Sequence, residues 1–228
     1  MRLKTKSFRK RWDRLRGKAP WWFLKDAKGV IHIGANSGQE RDIYAARDLN
    51  VLWVEPIPDV FAQLEKNISG YSKQTAIEAL ASDVSGREMT LNISNNEGQS
   101  SSVLPLSKHT EIWPSVHFVS QIHLVSETLP EIIERSGIAL ESFDTLVMDT
   151  QGSELPILKG ASDILSRFRF IQAEAATIPI YEGYPLLDEM DNFMASNGFR
   201  QAHKWRFADH RNGGACYDVT YKNTSAVR

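Results

Sequence analysis

The feature that most constrains the fold of this chain is a regular alternation of short apolar runs with helical segments. Residues 30–34 (VIHIG) and 51–55 (VLWVE) have the length and continuous apolar character of buried strands. Further strand-like runs lie at 75–81, 145–149 and 170–173, and segments with helical spacing separate them. Strands that alternate with helices favour a mostly parallel sheet with helices on both faces. The sequence therefore predicts an α/β fold.

The last part of the chain follows a different pattern. A helix near 186–196 precedes two predicted strands, 199–207 and 215–221. The residues between these strands include 212–214 (NGG), which are typical of a hairpin turn. We therefore expect an antiparallel hairpin at one edge of the otherwise parallel sheet.

Polar residues collect where the predicted strands end. Ligands of doubly wound sheets bind at the carboxyl ends of the strands, so these residues are the first candidates for a site. The candidates that follow or end the strands are Gly34, Ala35, Asn36, Gly38, Glu55, Ser82, Asp83, Asp149 and Glu174.

The first of these turns has the features of a nucleoside site. Small residues after the first strand allow backbone N–H groups to approach a ligand. Glu55 lies 21 residues after Gly34, close to the spacing of the acid that binds ribose hydroxyls in nucleotide-binding βαβ units. Asn36 occupies the position of the middle glycine in G-x-G-x-x-G, where a pyrophosphate needs a bare backbone. The turn therefore favours a nucleoside without phosphates, such as S-adenosylmethionine, over NAD or FAD.

Five segments of the chain, in order, resemble the motifs of one family. They are IHIGANSGQE, WVEPIP, ALASDVSG, DTLVMDTQGSELPILKGA and IQAEA. Together they resemble the FkbM-type S-adenosylmethionine-dependent methyltransferases over about residues 29–200, and the fourth segment is the most specific. The resemblance implies the class I methyltransferase fold, a Rossmann-like three-layer sandwich whose seven-stranded sheet is mostly parallel with an antiparallel C-terminal hairpin. It also implies O-methyl transfer to a hydroxyl of a sugar, a glycan or a natural-product small molecule.

The same resemblance assigns roles to individual positions. Asp149 is the first candidate for the catalytic base and Glu174 is the second. Glu55 would hold the ribose hydroxyls, and Ser82 and Asp83 would face the adenine ring. The residues that it places at the S-adenosylmethionine site are His32, Gly34, Ala35, Asn36, Gly38, Gln39, Glu55, Pro56, Ser82, Asp83, Asp149 and Gln151.

Two positions depart from the family pattern, and the sequence offers no compact set of metal ligands. His32 stands where an aspartate often precedes the turn, and Met148 stands where a lysine often precedes Asp149. These departures weaken the inference about the acceptor and leave the cofactor inference standing. Because no ligand motif is present, we expect that the reaction requires no metal.

Charge and composition indicate how the chain is divided and what type of protein it is. Residues 1–18 contain nine of the 27 basic residues and one of the 28 acidic ones, so residues 19–228 have a net charge of −9. We expect a partly ordered basic arm over 1–28, able to contact an anionic surface through residues 2–18, and one catalytic domain over 29–228. A single cysteine and the lack of a long apolar run favour a soluble protein of the cytoplasm.

Other functions remain open at this stage. A nucleotide-binding oxidoreductase would use the same glycine turn, although Asn36 argues against it. A catalytically inactive binding module would keep the fold, and the departures at His32 and Met148 make it conceivable. The basic arm suggests methylation of nucleic acid, but the acidic body argues against it because it would repel a phosphate backbone. The polar segment 94–115 is expected to be either disordered or a lid over the site.

Overall fold

The computed structural model describes residues 21–225, so most of the predicted basic arm lies outside the described residues. The strands of the described part are β1 (Gly29–Ile33), β2 (Asn50–Glu55), β3 (Gln74–Glu78), β4 (Leu80–Ala81), β5 (Glu88–Ser94), β6 (Phe118–Glu127), β7 (Thr145–Met148), β8 (Phe170–Ala176), β9 (Phe199–Asp209) and β10 (Ala215–Asn223). The α-helices are α1 (Arg41–Ala45), α2 (Pro58–Ile68), α3 (His109–Ile112), α4 (Leu129–Ser136), α5 (Glu154–Gly160) and α6 (Leu187–Ser196).

The central sheet has the predicted mixture of directions. Within residues 21–225 it contains seven strands in the order β3-β2-β1-β7-β8-β10-β9. Neighbouring strands from β3 to β8 pair in parallel, whereas β10 pairs antiparallel with both β8 and β9. The predicted α/β fold with a C-terminal antiparallel hairpin is therefore confirmed.

Helices cover both faces of this sheet because alternate residues of each strand point to opposite sides. On β1, Ile31 and Ile33 belong to a large buried cluster that includes residues of α4, α5 and α6. Val30 belongs instead to a second cluster, which includes residues of α1 and α2. The two clusters make the three-layer arrangement and hold the strand ends in fixed positions. No helix in residues 21–225 is long and apolar enough to span a bilayer.

Two segments differ from the simplest expectation. The apolar run 75–81 is divided at Ala79 into β3 and β4, and β4 leaves the central sheet to pair with β6. The polar segment 94–115 is ordered: it contains α3 and forms isolated bridges at Ser102 and Leu106. The serine side chains at its start satisfy the local backbone, since Ser94 Oγ accepts the Ser100 N–H at 3.1 Å.

Candidate active site

The turn after β1 is held tightly against two neighbouring strands. The N–H groups of Gly34 and Ala35 donate to the carbonyl oxygen of Val54 at 2.9 and 3.1 Å. Gly34 has a φ of 78°, a left-handed conformation that favours glycine. A Cβ at this position would overlap the carbonyl oxygen of Asp149 at the end of β7. The absence of a side chain therefore brings the turn into direct contact with Asp149.

We expect Gly34→Ala to destabilise the protein by about 1–3 kcal/mol more than Gly86→Ala, because of the steric overlap at residue 34. Gly86 is a matched control, since its φ is also 78° but a Cβ added there would have no atom within 4 Å. Urea denaturation of the two variants measures the difference in the free energy of unfolding. Equal losses would show that backbone conformation, and not the contact with Asp149, makes Gly34 necessary.

Glu55 is the last residue of β2 and lies beside the turn that follows β1. Its Oε2 accepts the N–H of Asn36 at 2.8 Å, and its Oε1 accepts the N–H of Ile57 at 3.0 Å. The residue is only 4% exposed. Each carboxylate oxygen keeps a further lone pair, so the group can accept additional hydrogen bonds. Burial raises the pKa of Glu55 to about 7, although the two backbone N–H donors oppose this shift.

A cavity opens to solvent beside Glu55, and the empty space in and around it is about 630 Å³. Its lining includes polar side chains such as Glu55, Asp149 and Gln151 and apolar side chains such as Ile57 and Leu91. A ligand that has both hydroxyl groups and a flat apolar ring fits this mixed lining.

The predicted cofactor residues fall into two groups in the structure. Those that line the cavity are Gly34, Asn36, Gln39, Glu55, Pro56, Asp149 and Gln151. Those outside the lining are His32, Ala35, Gly38, Ser82 and Asp83. Ala35 and Gly38 pack inward, where a Cβ on Gly38 would lie 2.8 Å from Leu64. Asp83 forms an ion pair with Arg87. The roles of all these residues remain predictions.

The side chain of His32 is buried beside two aromatic side chains. Its ring stacks on Trp53 with centroids 4.9 Å apart, and its Nδ1 is 3.0 Å from the hydroxyl of Tyr44. It also borders a second cavity of about 390 Å³. The other residues that line this cavity are Trp21, Glu40, Val147, Met148, Asp149, Gln172, Glu174 and Asp218.

Asp149 lines both cavities and marks the boundary between them. The side-chain amide of Gln151 donates to Asp149 Oδ1 at 2.7 Å and to Glu174 Oε2 at 3.1 Å. The structure thus brings the two predicted catalytic carboxylates together through one amide. The buried carboxylate of Glu154 accepts the backbone N–H groups of Thr150 and Gly152, on either side of Gln151, at 2.8 and 3.0 Å. Burial raises the pKa of Glu154 to about 7.

Several residues at the site carried no signal in the sequence. Gly98, Gln99 and Ser101 of the polar segment line the first cavity, and Glu40 and Asp218 line the second. Only the expectation of a lid at 94–115 pointed to the first group. Across residues 21–225, no group of three or more His, Cys, Asp or Glu side chains is arranged to hold a metal ion.

Comparisons with known proteins agree with this geometry. The family described as "Methyltransferase FkbM domain" matches residues 32–201. The 2-O-methyltransferase NoeI of Sinorhizobium fredii is 27% identical over 162 residues, which cover 68% of this chain and 65% of that protein. The chain thus spans less than two thirds of the length of this relative.

Solved structures show the same fold. Magnesium protoporphyrin IX methyltransferase from Synechocystis, with bound S-adenosylmethionine, has a TM-score of 0.53 at 9% identity, and the match covers 98% of this chain and 86% of that one. The same enzyme with the demethylated cofactor has a TM-score of 0.52, also at 9% identity, covering 98% and 89%. The family match extends over more than half of the chain. The chain therefore belongs to the FkbM methyltransferase family and has the class I methyltransferase fold.

Proposed function

We propose that this protein transfers a methyl group from S-adenosylmethionine to a hydroxyl of a sugar, a glycan or a natural-product small molecule. The observation that carries the proposal is the position of Asp149, which lines both the cavity beside Glu55 and the second, acidic cavity. A methyltransferase must bring two ligands together at one point. A carboxylate at the meeting point of two cavities is placed to act on the acceptor.

The first cavity suits the methyl donor. Glu55 has oxygen lone pairs for the ribose hydroxyls, and Gly34 and Asn36 line the cavity where they can contact the remainder of the ligand. Ile57, Leu80 and Leu91 provide an apolar wall for the adenine ring. When bound, S-adenosylmethionine supplies an electrophilic methyl group on a positively charged sulfur.

The second cavity suits an acceptor that has several hydroxyl groups. Carboxylates accept O–H hydrogen bonds, and Glu40, Glu174 and Asp218 all line this space. The side chain of Trp21 provides an apolar surface for one face of a ring. The similarity to a 2-O-methyltransferase supports a hydroxyl as the group that receives the methyl.

The chemistry expected of the protein is positioning together with removal of one proton. A neutral hydroxyl is a poor nucleophile, so a nearby base accelerates its attack. Asp149 would take the proton of the acceptor hydroxyl while the hydroxyl oxygen attacks. The hydrogen bond from Gln151 to Asp149 Oδ1 orients the carboxylate for this task. Glu174 lies on the other side of the same amide and is the second candidate.

The function is tested by incubating the full chain with isotope-labelled S-adenosylmethionine and acceptors of different nucleophile classes. The panel contains monosaccharides, oligosaccharides, small alcohols and phenols, with matched amines and thiols. We expect label in at least one hydroxyl compound and formation of an equal amount of the demethylated cofactor. Transfer to amines or thiols alone would overturn the proposed O-methylation, and an absence of any transfer would favour an inactive binding module.

The affinity for the methyl donor is expected to decrease as the pH falls through 7. The pKa of Glu55 is about 7, and only the ionised carboxylate accepts hydrogen bonds from both ribose hydroxyls. The dissociation constant should therefore rise about tenfold from about pH 8 to about pH 6 and change little at higher pH. Isothermal titration with 5′-methylthioadenosine isolates this effect, because that ligand keeps the ribose and lacks the titrating α-amino group. A constant affinity over this pH range would contradict the role of Glu55.

A further inference from the structure

A buried tyrosine from a distant part of the chain contacts the residue that joins the two carboxylates. Tyr181 follows β8 and is 1% exposed. Its hydroxyl donates to Oε1 of Gln151 at 2.8 Å. We infer that Tyr181 is a positioning residue, which holds the amide of Gln151 between Asp149 and Glu174 at the boundary of the two cavities. The consequence for catalysis depends on the methyl transfer proposed above, whereas the contact itself can be tested separately.

The chemistry of the Gln151 amide explains why its oxygen needs a hydrogen-bond donor. The Nε2 of Gln151 gives one hydrogen to Asp149 and the other to Glu174, two groups that act as acceptors when ionised. The Oε1 atom then faces away from the carboxylates, where the Tyr181 hydroxyl donates to it. Without that hydroxyl, a half-buried carbonyl oxygen would have lost its donor. Moving the amide away from the carboxylates would relieve this loss.

The hydroxyl of Tyr181 is well suited to remain a donor. Burial raises its pKa well above the usual value, so it stays protonated over the whole working range. Its ring is fixed among other aromatic side chains, with centroids 5.4 Å from His109 and 6.2 Å from Tyr184. Tyr181 is therefore fixed independently of Gln151 and can hold the Gln151 amide in one position.

The backbone of Gln151 is held as firmly as its side chain. The residue has a φ of 55°, in the left-handed region that residues other than glycine rarely adopt. Its carbonyl oxygen accepts the hydroxyl of Ser102 at 2.7 Å. Ser101, the preceding residue of that segment, lines the first cavity. Gln151 is thus fixed by Tyr181 at its side chain and by Ser102 at its backbone. A residue that aligns two carboxylates needs its own position to be fixed in this way.

The variant that tests this inference is Tyr181→Phe, which removes the hydroxyl and keeps the ring. Side-chain amide NMR of the full chain, with Gln151 assigned through Gln151→Met, follows the amide directly. We expect the Gln151 hydrogens of the variant to exchange with solvent at least about tenfold faster than in the unchanged protein, because the amide leaves its partners. The matched control is Tyr184→Phe, since among the described residues the Tyr184 hydroxyl makes no hydrogen bond to Gln151.

Unchanged Gln151 signals in Tyr181→Phe would overturn the inference, and so would equal changes in both variants, which would indicate a general loss of packing. The unchanged protein gives a second measurement that needs no variant. Its Tyr181 hydroxyl proton should be visible as a slowly exchanging resonance close to Gln151, and rapid exchange of that proton would also overturn the inference.

A kinetic measurement with an active acceptor connects the contact to catalysis. In Tyr181→Phe we expect kcat to decrease about tenfold and the acid limb of its pH profile to move, while KM for S-adenosylmethionine changes less than about twofold. Tyr184→Phe should leave the profile in place, and a profile that does not move in Tyr181→Phe counts against the inference. If no acceptor is methylated by the unchanged protein, the proposed function fails, while the NMR experiment still decides the role of Tyr181.

Discussion

Replacing Glu55 by glutamine is expected to weaken the binding of S-adenosylmethionine by about 100-fold, because hydrogen bonds to a charged acceptor contribute about 1.5–3 kcal/mol each. Glutamine has one acceptor oxygen where glutamate has two, and its amide would face one of the backbone N–H groups of Asn36 and Ile57. Both effects reduce the capacity of the side chain to receive ribose hydroxyls. Isothermal titration of the purified variant gives the change in affinity directly.

The matched control for this experiment is Glu78→Gln. Glu78 is paired in register with Glu55 on the adjacent strand, but its side chain is exposed. The control removes the same charge from the same edge of the sheet. It therefore separates the loss of a direct contact with the ligand from a change in the overall electrostatic potential of the protein. Circular dichroism of both variants verifies that they remain folded. If the two substitutions weakened binding equally, Glu55 would have no special role in holding the ribose.

The sequence predicts which strand ends lie together at the first cavity, because the signals there are local. Continuous apolar runs identify β1, β2 and β7, and residues at their carboxyl ends must meet at one edge of a parallel sheet. Glu55 and the glycine turn are brought together by β1 and β2, which are adjacent and parallel. The hydrogen bond from the Asn36 N–H to Glu55 is the direct result of that pairing.

The sequence could not predict the tertiary contacts that join residues of distant segments. Tyr181 and Gln151 are 30 positions apart, and Ser102 and Gln151 are 49 positions apart. No periodicity connects such residues, because loops, and not regular elements, bring them together. The division of the run 75–81 is a second example. Pairing of β4 with β6, which starts at Phe118, decides where Ser82 and Asp83 lie.

The Asp149→Asn substitution is expected to reduce methyl transfer by about 100- to 10,000-fold, the usual contribution of a general base. The substitution keeps the shape of the side chain and removes its capacity to take a proton. The affinity for S-adenosylmethionine should change by only a few-fold, because Glu55 and the apolar wall of the cavity are intact. Single-turnover assays with saturating donor and an active acceptor measure the rate, and titration measures the affinity.

Two further variants separate proton removal by Asp149 from a simple loss of charge and from proton removal by Glu174. Asp163→Asn is the control for the loss of one negative charge, since Asp163 is exposed and lies outside both cavities. Glu174→Gln tests the second candidate, because Glu174 binds the same amide of Gln151 from the opposite side. A greater loss in Glu174→Gln than in Asp149→Asn would transfer the role of base to Glu174. If the rate survives in both variants, the hydroxyl needs no carboxylate for its attack, and these side chains then serve to orient the acceptor.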